Sequence, residues 1–191
     1  MCGQYYKPAI LSKKFNKKNI KMNEVVVASL YSHDYDNGLK LLEHSYIGNN
    51  FVKAAIQLIA KYKGYPFVWC GDYADENIEV EGDKFNAYEL SQNEIKPNEL
   101  DDIVSAEGIA EDYKYIVNYT KREYIEIPKY RPKSWDIHPL PLLCCDGNGK
   151  GSGDYRGINM NKVGIWAYDR IGVTNKRPHY KKINVTFEER D

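Results

Sequence analysis

The sequence predicts a single mixed α+β domain, with one β-sheet carrying two or three helices. Three observations carry this. Residues 24–31 (EVVVASLY) and 66–70 (PFVWC) are short apolar runs of the kind that form buried strands, and the stretch between them has helical spacing. Residues 113–119 and 123–127 are two more β-rich runs around Thr120-Lys121-Arg122, as in a hairpin. The 191 residues, 42% hydrophobic and 13% aromatic, suit one core, and no internal repeat divides them.

Residues 1–21 are predicted to be a basic, flexible N-terminal extension, and residues 22–191 the α+β domain. The extension is rich in Lys and Asn and has little apolar periodicity. The first predicted strand follows Met22 and runs into a turn-rich loop, Ser32-His33-Asp34-Tyr35-Asp36-Asn37-Gly38. Asp36 or Asn37 can cap a short helix through Leu39, Leu42 and Tyr46. Asn49 or Asn50 can cap a longer one, with Phe51, Ala55, Leu58, Ile59 and Tyr62 on one face and Lys53, Gln57 and Lys61 on the other. Gly64 and Pro66 stop it. Strand, helices, strand is the order of a crossover onto one sheet. A further short helix is expected near residues 98–106. Four prolines, Pro128, Pro132, Pro139 and Pro141, make the next stretch extended and irregular. Residues 163–173 and 183–187 read as late strands.

The net charge of zero conceals a division. Residues 1–22 carry +6, residues 71–112 carry −12 and residues 113–191 carry +6. A basic start, an acidic middle and a basic end argue against the continuous positive face of an extended nucleic-acid surface. No run reaches the ~20 apolar residues of a membrane span. Cys2, Cys70, Cys144 and Cys145 lack C-x-x-C spacing, and free thiols in a reducing compartment are the simplest expectation.

Two sets of residues could carry chemistry. The first is the glycine loop, Asp146-Gly147-Asn148-Gly149-Lys150-Gly151-Ser152-Gly153-Asp154-Tyr155-Arg156. Calcium-loop spacing begins at Asp146 and fails at Lys150 and Gly157. A Walker A loop fails because Gly151 follows Gly149-Lys150. What remains is exposed backbone N–H groups beside cations, so Gly147, Asn148, Gly149, Lys150, Gly151, Asp154 and Arg156 form the candidate ligand-binding set. The second set is His33, Asp36, Asp72 and His138, candidates for acid–base work. If the first two predicted strands are parallel neighbours, His33 and Asp72 share the carboxyl edge where open α/β sheets place ligands. No fixed-spacing metal motif and no cofactor signature occurs.

Several blocks resemble an uncharacterised, largely phage-encoded protein family. They are LYSHDYDNGLKLLEHSYIGN, with its "LYSH" first-strand loop, then WCGDYADE, YIVNYTKREYIEI, and IHPLPLLCCDGNGKGSGDYRG followed by VGIWAYDRIGV. Asp34, where that family commonly has Trp, and the Cys144-Cys145 pair depart from its pattern. The resemblance implies a phage or mobile-element origin and work in the bacterial cytoplasm, but no particular activity. Two function classes follow. One is an accessory protein binding a host protein or a small phosphorylated ligand. The other is a small hydrolase or nucleotide-processing enzyme using the His/Asp set, with the glycine loop on phosphate.

Overall fold

A computed structural model describes residues 4–18, 20–132, 135–147 and 155–190. Its fold is mixed α+β. The elements, in chain order, are β1 (Tyr6–Leu11), β2 (Val26–Ser29), α1 (Leu41–His44), α2 (Asn50–Lys61), β3 (Tyr65–Gly71), β4 (Ile78–Val80) and β5 (Asp83–Phe85). Then come α3 (Pro97–Glu107), β6 (Tyr115–Asn118), β7 (Glu123–Glu126), α4 (Pro139–Leu143), β8 (Cys145–Asp146), β9 (Arg170–Thr174) and β10 (Lys181–Lys182). The large sheet runs β10-β7-β6-β9-β3-β1-β2, with β8 also paired to β3, and β4-β5 form a separate hairpin.

The extension expected at residues 1–21 is corrected by β1. All six of its residues are buried, and it lies between β2 and β3, antiparallel to both. Period-two alternation explains this. Tyr6 and Ile10 join one apolar cluster, whereas Ala9 and Leu11 join the other. On β3, Phe67 and Trp69 face the first cluster, and Val68 and Cys70 the second. Both strands are therefore covered on both faces, by α2 on one side and by the β4-β5 region on the other. In sequence β1 is disguised by Lys7 and Pro8. The missing N–H of Pro8 faces β2, where Leu30 N–H still donates to Pro8 O at 3.2 Å, and the β2 ladder stops just before Leu30.

α2 follows its apolar stripe. Asn49 caps it, its side chain accepting from Phe51 N–H at 2.8 Å, and Phe51, Ala55, Leu58 and Ile59 are buried. Gln57, expected on the polar face, is buried and donates from Nε2 to Glu111 O at 2.8 Å. The β6-β7 hairpin forms as predicted, with Arg122 at φ 57 in its turn. Of the late strands expected at residues 163–173 and 183–187, only residues 170–173 pair, in β9; residues 183–187 form no strand, and the two-residue β10 falls just before them. Residues 139–143, expected to be irregular, form α4. Its prolines fall in the first turn, where a missing N–H costs nothing.

Candidate functional site

β2, β3 and β8 run in one direction, so their carboxyl ends share one edge of the sheet. β2 and β3 are parallel as expected, but β1 separates them. His33, just past β2, therefore stands two strand positions from Asp72, just past β3, roughly 10 Å away. His33 is exposed, and its ring tilts against Tyr31 with centroids 5.4 Å apart. Asp72 Oδ1 accepts from Tyr5 N–H at 2.9 Å, so this carboxylate ties down the start of β1. Asp36 is the C-cap of a short 3-10 helix, Ser32–Tyr35, in the left-handed region at φ 57.

Asp72 does have one predicted companion. Cys70 pairs with Asp146 in the β3-β8 ladder, which sets Gly71 beside Gly147. Gly147 is buried, and a Cβ there would come within 2.2 Å of Tyr6 Oη. Burial raises the Asp146 pKa, while a hydrogen bond from Tyr168 Oη opposes the rise. Asn148, Gly149, Lys150, Gly151 and Asp154 lie outside the described residues. Arg156, at the far end of the loop, donates from Nη1 to Tyr155 O at 2.7 Å.

His138 lies elsewhere. It is the N-cap of α4, and its backbone N–H donates to Ser45 O at 2.7 Å. Its Nδ1 accepts from Leu140 N–H at 3.1 Å, which puts the ring proton on Nε2. Burial depresses its pKa to about 3, so the ring is neutral across the physiological range. Nε2 is buried and has no hydrogen-bond partner among the described residues. A buried N–H left unmade costs about 1–3 kcal/mol, so this position calls for an explanation.

His138 also lines a cavity of about 590 Å³, with Val52 and Ile56 from α2 and with Tyr113, Ile127 and Tyr130. A second cavity of about 560 Å³ lies across residues 126–129, which line both. It is walled by Ile125, Ile137, Ile183 and Val185. The rim of the His138 cavity mixes Lys53, Lys114 and Lys129 with Glu111, Asp112 and Glu126, so its formal charge is balanced. Both volumes fall in the range of small-molecule sites.

The His/Asp set thus divides. No hydrogen bond among the described residues joins His138 to His33, Asp36 or Asp72, and none of those three lines either cavity. Among the described residues no group of three or more His, Cys, Asp and Glu side chains could hold a metal ion. No helix among them is long and apolar enough to cross a membrane. Cys70, Cys144 and Cys145 are buried free thiols, with Cys70 pushed up to about 12 by burial, which disfavours a thiolate nucleophile. The signal that could have shown His138 to be a cap was local: a His directly before a Pro-Leu-Pro helix start is a capping position. The cavity beside it depends on residues from four separate stretches of chain and has no local signal. No family model, no curated protein and no solved structure matches the chain.

Proposed function

We propose that this is a binding protein whose site is the His138 cavity, and that its ligand is a small, largely apolar molecule with one hydrogen-bond acceptor, which Nε2–H meets once the buried ring turns towards the cavity. The observation that carries the reading is the unpartnered Nε2–H of a fully buried, neutral histidine beside a cavity large enough to hold such a ligand. A ring held neutral by burial is a poor proton carrier near pH 7 but a good fixed donor. The balanced rim favours a neutral or zwitterionic ligand. A phosphorylated one would use Lys53, Lys114 and Lys129 against the opposing carboxylates. The hydrolase reading has less support, because Asp72 is engaged with Tyr5 and His33 and Asp36 line neither cavity. The phage-family resemblance adds the proposed setting, an accessory role in the cytoplasm of an infected bacterium.

The test is a thermal-shift screen of small lactams and amides, nucleosides, nucleotides and inorganic phosphate against the parent and His138→Phe. Acceptor-bearing neutral compounds are expected to raise the parent's melting temperature and leave the variant's unchanged. Compounds that stabilise both equally, or a screen with no hit on the parent, would sink the proposal.

A further inference from the structure

We infer that the strap joining β7 to α4 is a stacking platform for unpaired nucleotides, and that its partner is a single-stranded nucleic acid. Residues 127–135 read IPKYRPKSW, with three cations and no acid. Trp135 is 78% exposed and Tyr130 63%, more than any other exposed large hydrophobic residue described.

Neither ring is loose. Tyr130 lies on Gly48, where a Cβ would come within 2.2 Å of the ring. Gly48 has φ +86, so glycine suits the position twice over. Trp135 meets Tyr46 edge-on, with centroids 5.2 Å apart. Tyr46 and Gly48 are two residues apart, so the two rings rest on one turn, with anchor points within about 7 Å. Rings that are held in place yet open to solvent suit base stacking, because every base offers a π-face and little ring freedom is lost on binding.

Lys129 and Arg131 flank Tyr130, are exposed, and form no ion pair among the described residues. Lys61, Lys96, Lys121 and Lys182, by contrast, each meet a carboxylate. Unpaired cations alternating with exposed rings complement a strand that alternates phosphate and base. Pro128 and Pro132 restrict the backbone and reduce the ordering cost of binding. Asp136 follows Trp135, and Glu43 and Glu189 act on Tyr46, which confines the platform to about two nucleotides, one per ring. A patch this short is compatible with a chain that lacks an extended positive face. Trp135 lines neither cavity, whereas Tyr130 and Lys129 also line the His138 cavity, so the platform adjoins the proposed site and Trp135 is the ring that tells the two apart.

Trp69 and Trp166 are fully buried, so a change in tryptophan emission on binding reports Trp135. An oligodeoxythymidylate of roughly twelve nucleotides, added to the full chain at low salt, is expected to quench that emission. With a labelled strand and anisotropy as the readout, Trp135→Ala and Tyr130→Ala should each weaken binding roughly tenfold. The double change Lys129→Ala, Arg131→Ala should reduce the logarithmic salt slope by about 1.4. His138→Phe should leave binding intact. Any one of four results overturns the inference: no binding, ring variants that bind like the parent, a duplex of equal length that binds as tightly, or thymidine monophosphate that binds as well as the strand.

Discussion

Two buried histidines lie beside α2 and differ in how their rings are satisfied. His44 is closed. Its Nδ1 donates to Gly38 O at 2.9 Å, its Nε2 accepts from Trp69 Nε1–H at 3.0 Å, and Phe51 meets the ring edge-on. His138 is half open, with Nδ1 engaged and Nε2 without a partner. Consecutive residues of one helix serve the two, Phe51 packing on His44 and Val52 lining the His138 cavity. Burial lowers both pKa values, His44 to about 4 and His138 to about 3. The pKa direction therefore does not distinguish the two histidines; the count of satisfied ring nitrogens does.

The largest way to break this contrast is to remove the support of the closed side. Tyr6 N–H bonds to Leu39 O at 2.9 Å, so β1 braces the segment leading into α1 and His44. A chain beginning at Met22 is expected to lose its cooperative thermal transition, because β2 and β3 lose the strand between them. Retained cooperativity within a few degrees of the parent would show that β1 is dispensable. Next in size is Leu58→Ala, expected to cost about 3–5 kcal/mol by urea unfolding, since Leu58 is fully buried in the cluster that both sides share.

His44→Phe should cost about 2–4 kcal/mol, because it strands Gly38 O and Trp69 Nε1–H in the core. Acid should come next. Both histidines are neutral when folded and have a pKa near 6.5 when unfolded, so the unfolded chain binds more protons between those values. Their contribution is fully present above about pH 6.5 and is lost as pH falls towards about 4 for His44 and about 3 for His138. Asp146, with its raised pKa, acts in the opposite sense and softens the slope. Unfolding free energies measured from pH 7 to 4 should fall, and fall less in His44→Phe. The smallest effect is that of His138→Phe. It loses the cap to Leu140 N–H, about 1 kcal/mol, but also removes the unpaired donor. A cost equal to that of His44→Phe would erase the contrast.

Elements that obey one rule were legible in the sequence: α2 by its stripe and cap, the β6-β7 hairpin by its paired runs, and β3 by its apolar run. β1 was not, because Lys7 and Pro8 are residues that strands usually keep at edges. Lys7 is buried by tertiary means, pairing with Glu94 Oε1 at 2.7 Å and lying over the Tyr88 ring at 4.5 Å. Its partners come from more than 80 residues along the chain, beyond any local pattern. The site was legible only in part. The carboxyl-edge reasoning placed His33 and Asp72 past the ends of two parallel strands, β2 and β3, but β1 lies between those strands and keeps the two residues apart. His138 was singled out for acid–base work, whereas its burial makes it a fixed donor.

The position of β1 also bears on biosynthesis. Of the described strands it is the first to leave the ribosome, and one of its two neighbours, β3, begins only at Tyr65. At ~5–20 residues per second, a completed β1 waits roughly 3–12 s for that neighbour, an apolar segment with bare edges. Lys7 and Pro8 resist promiscuous pairing during that interval, one by charge and the other by the missing N–H. The two residues that hide the strand from a reading of the sequence are also those that protect it during translation.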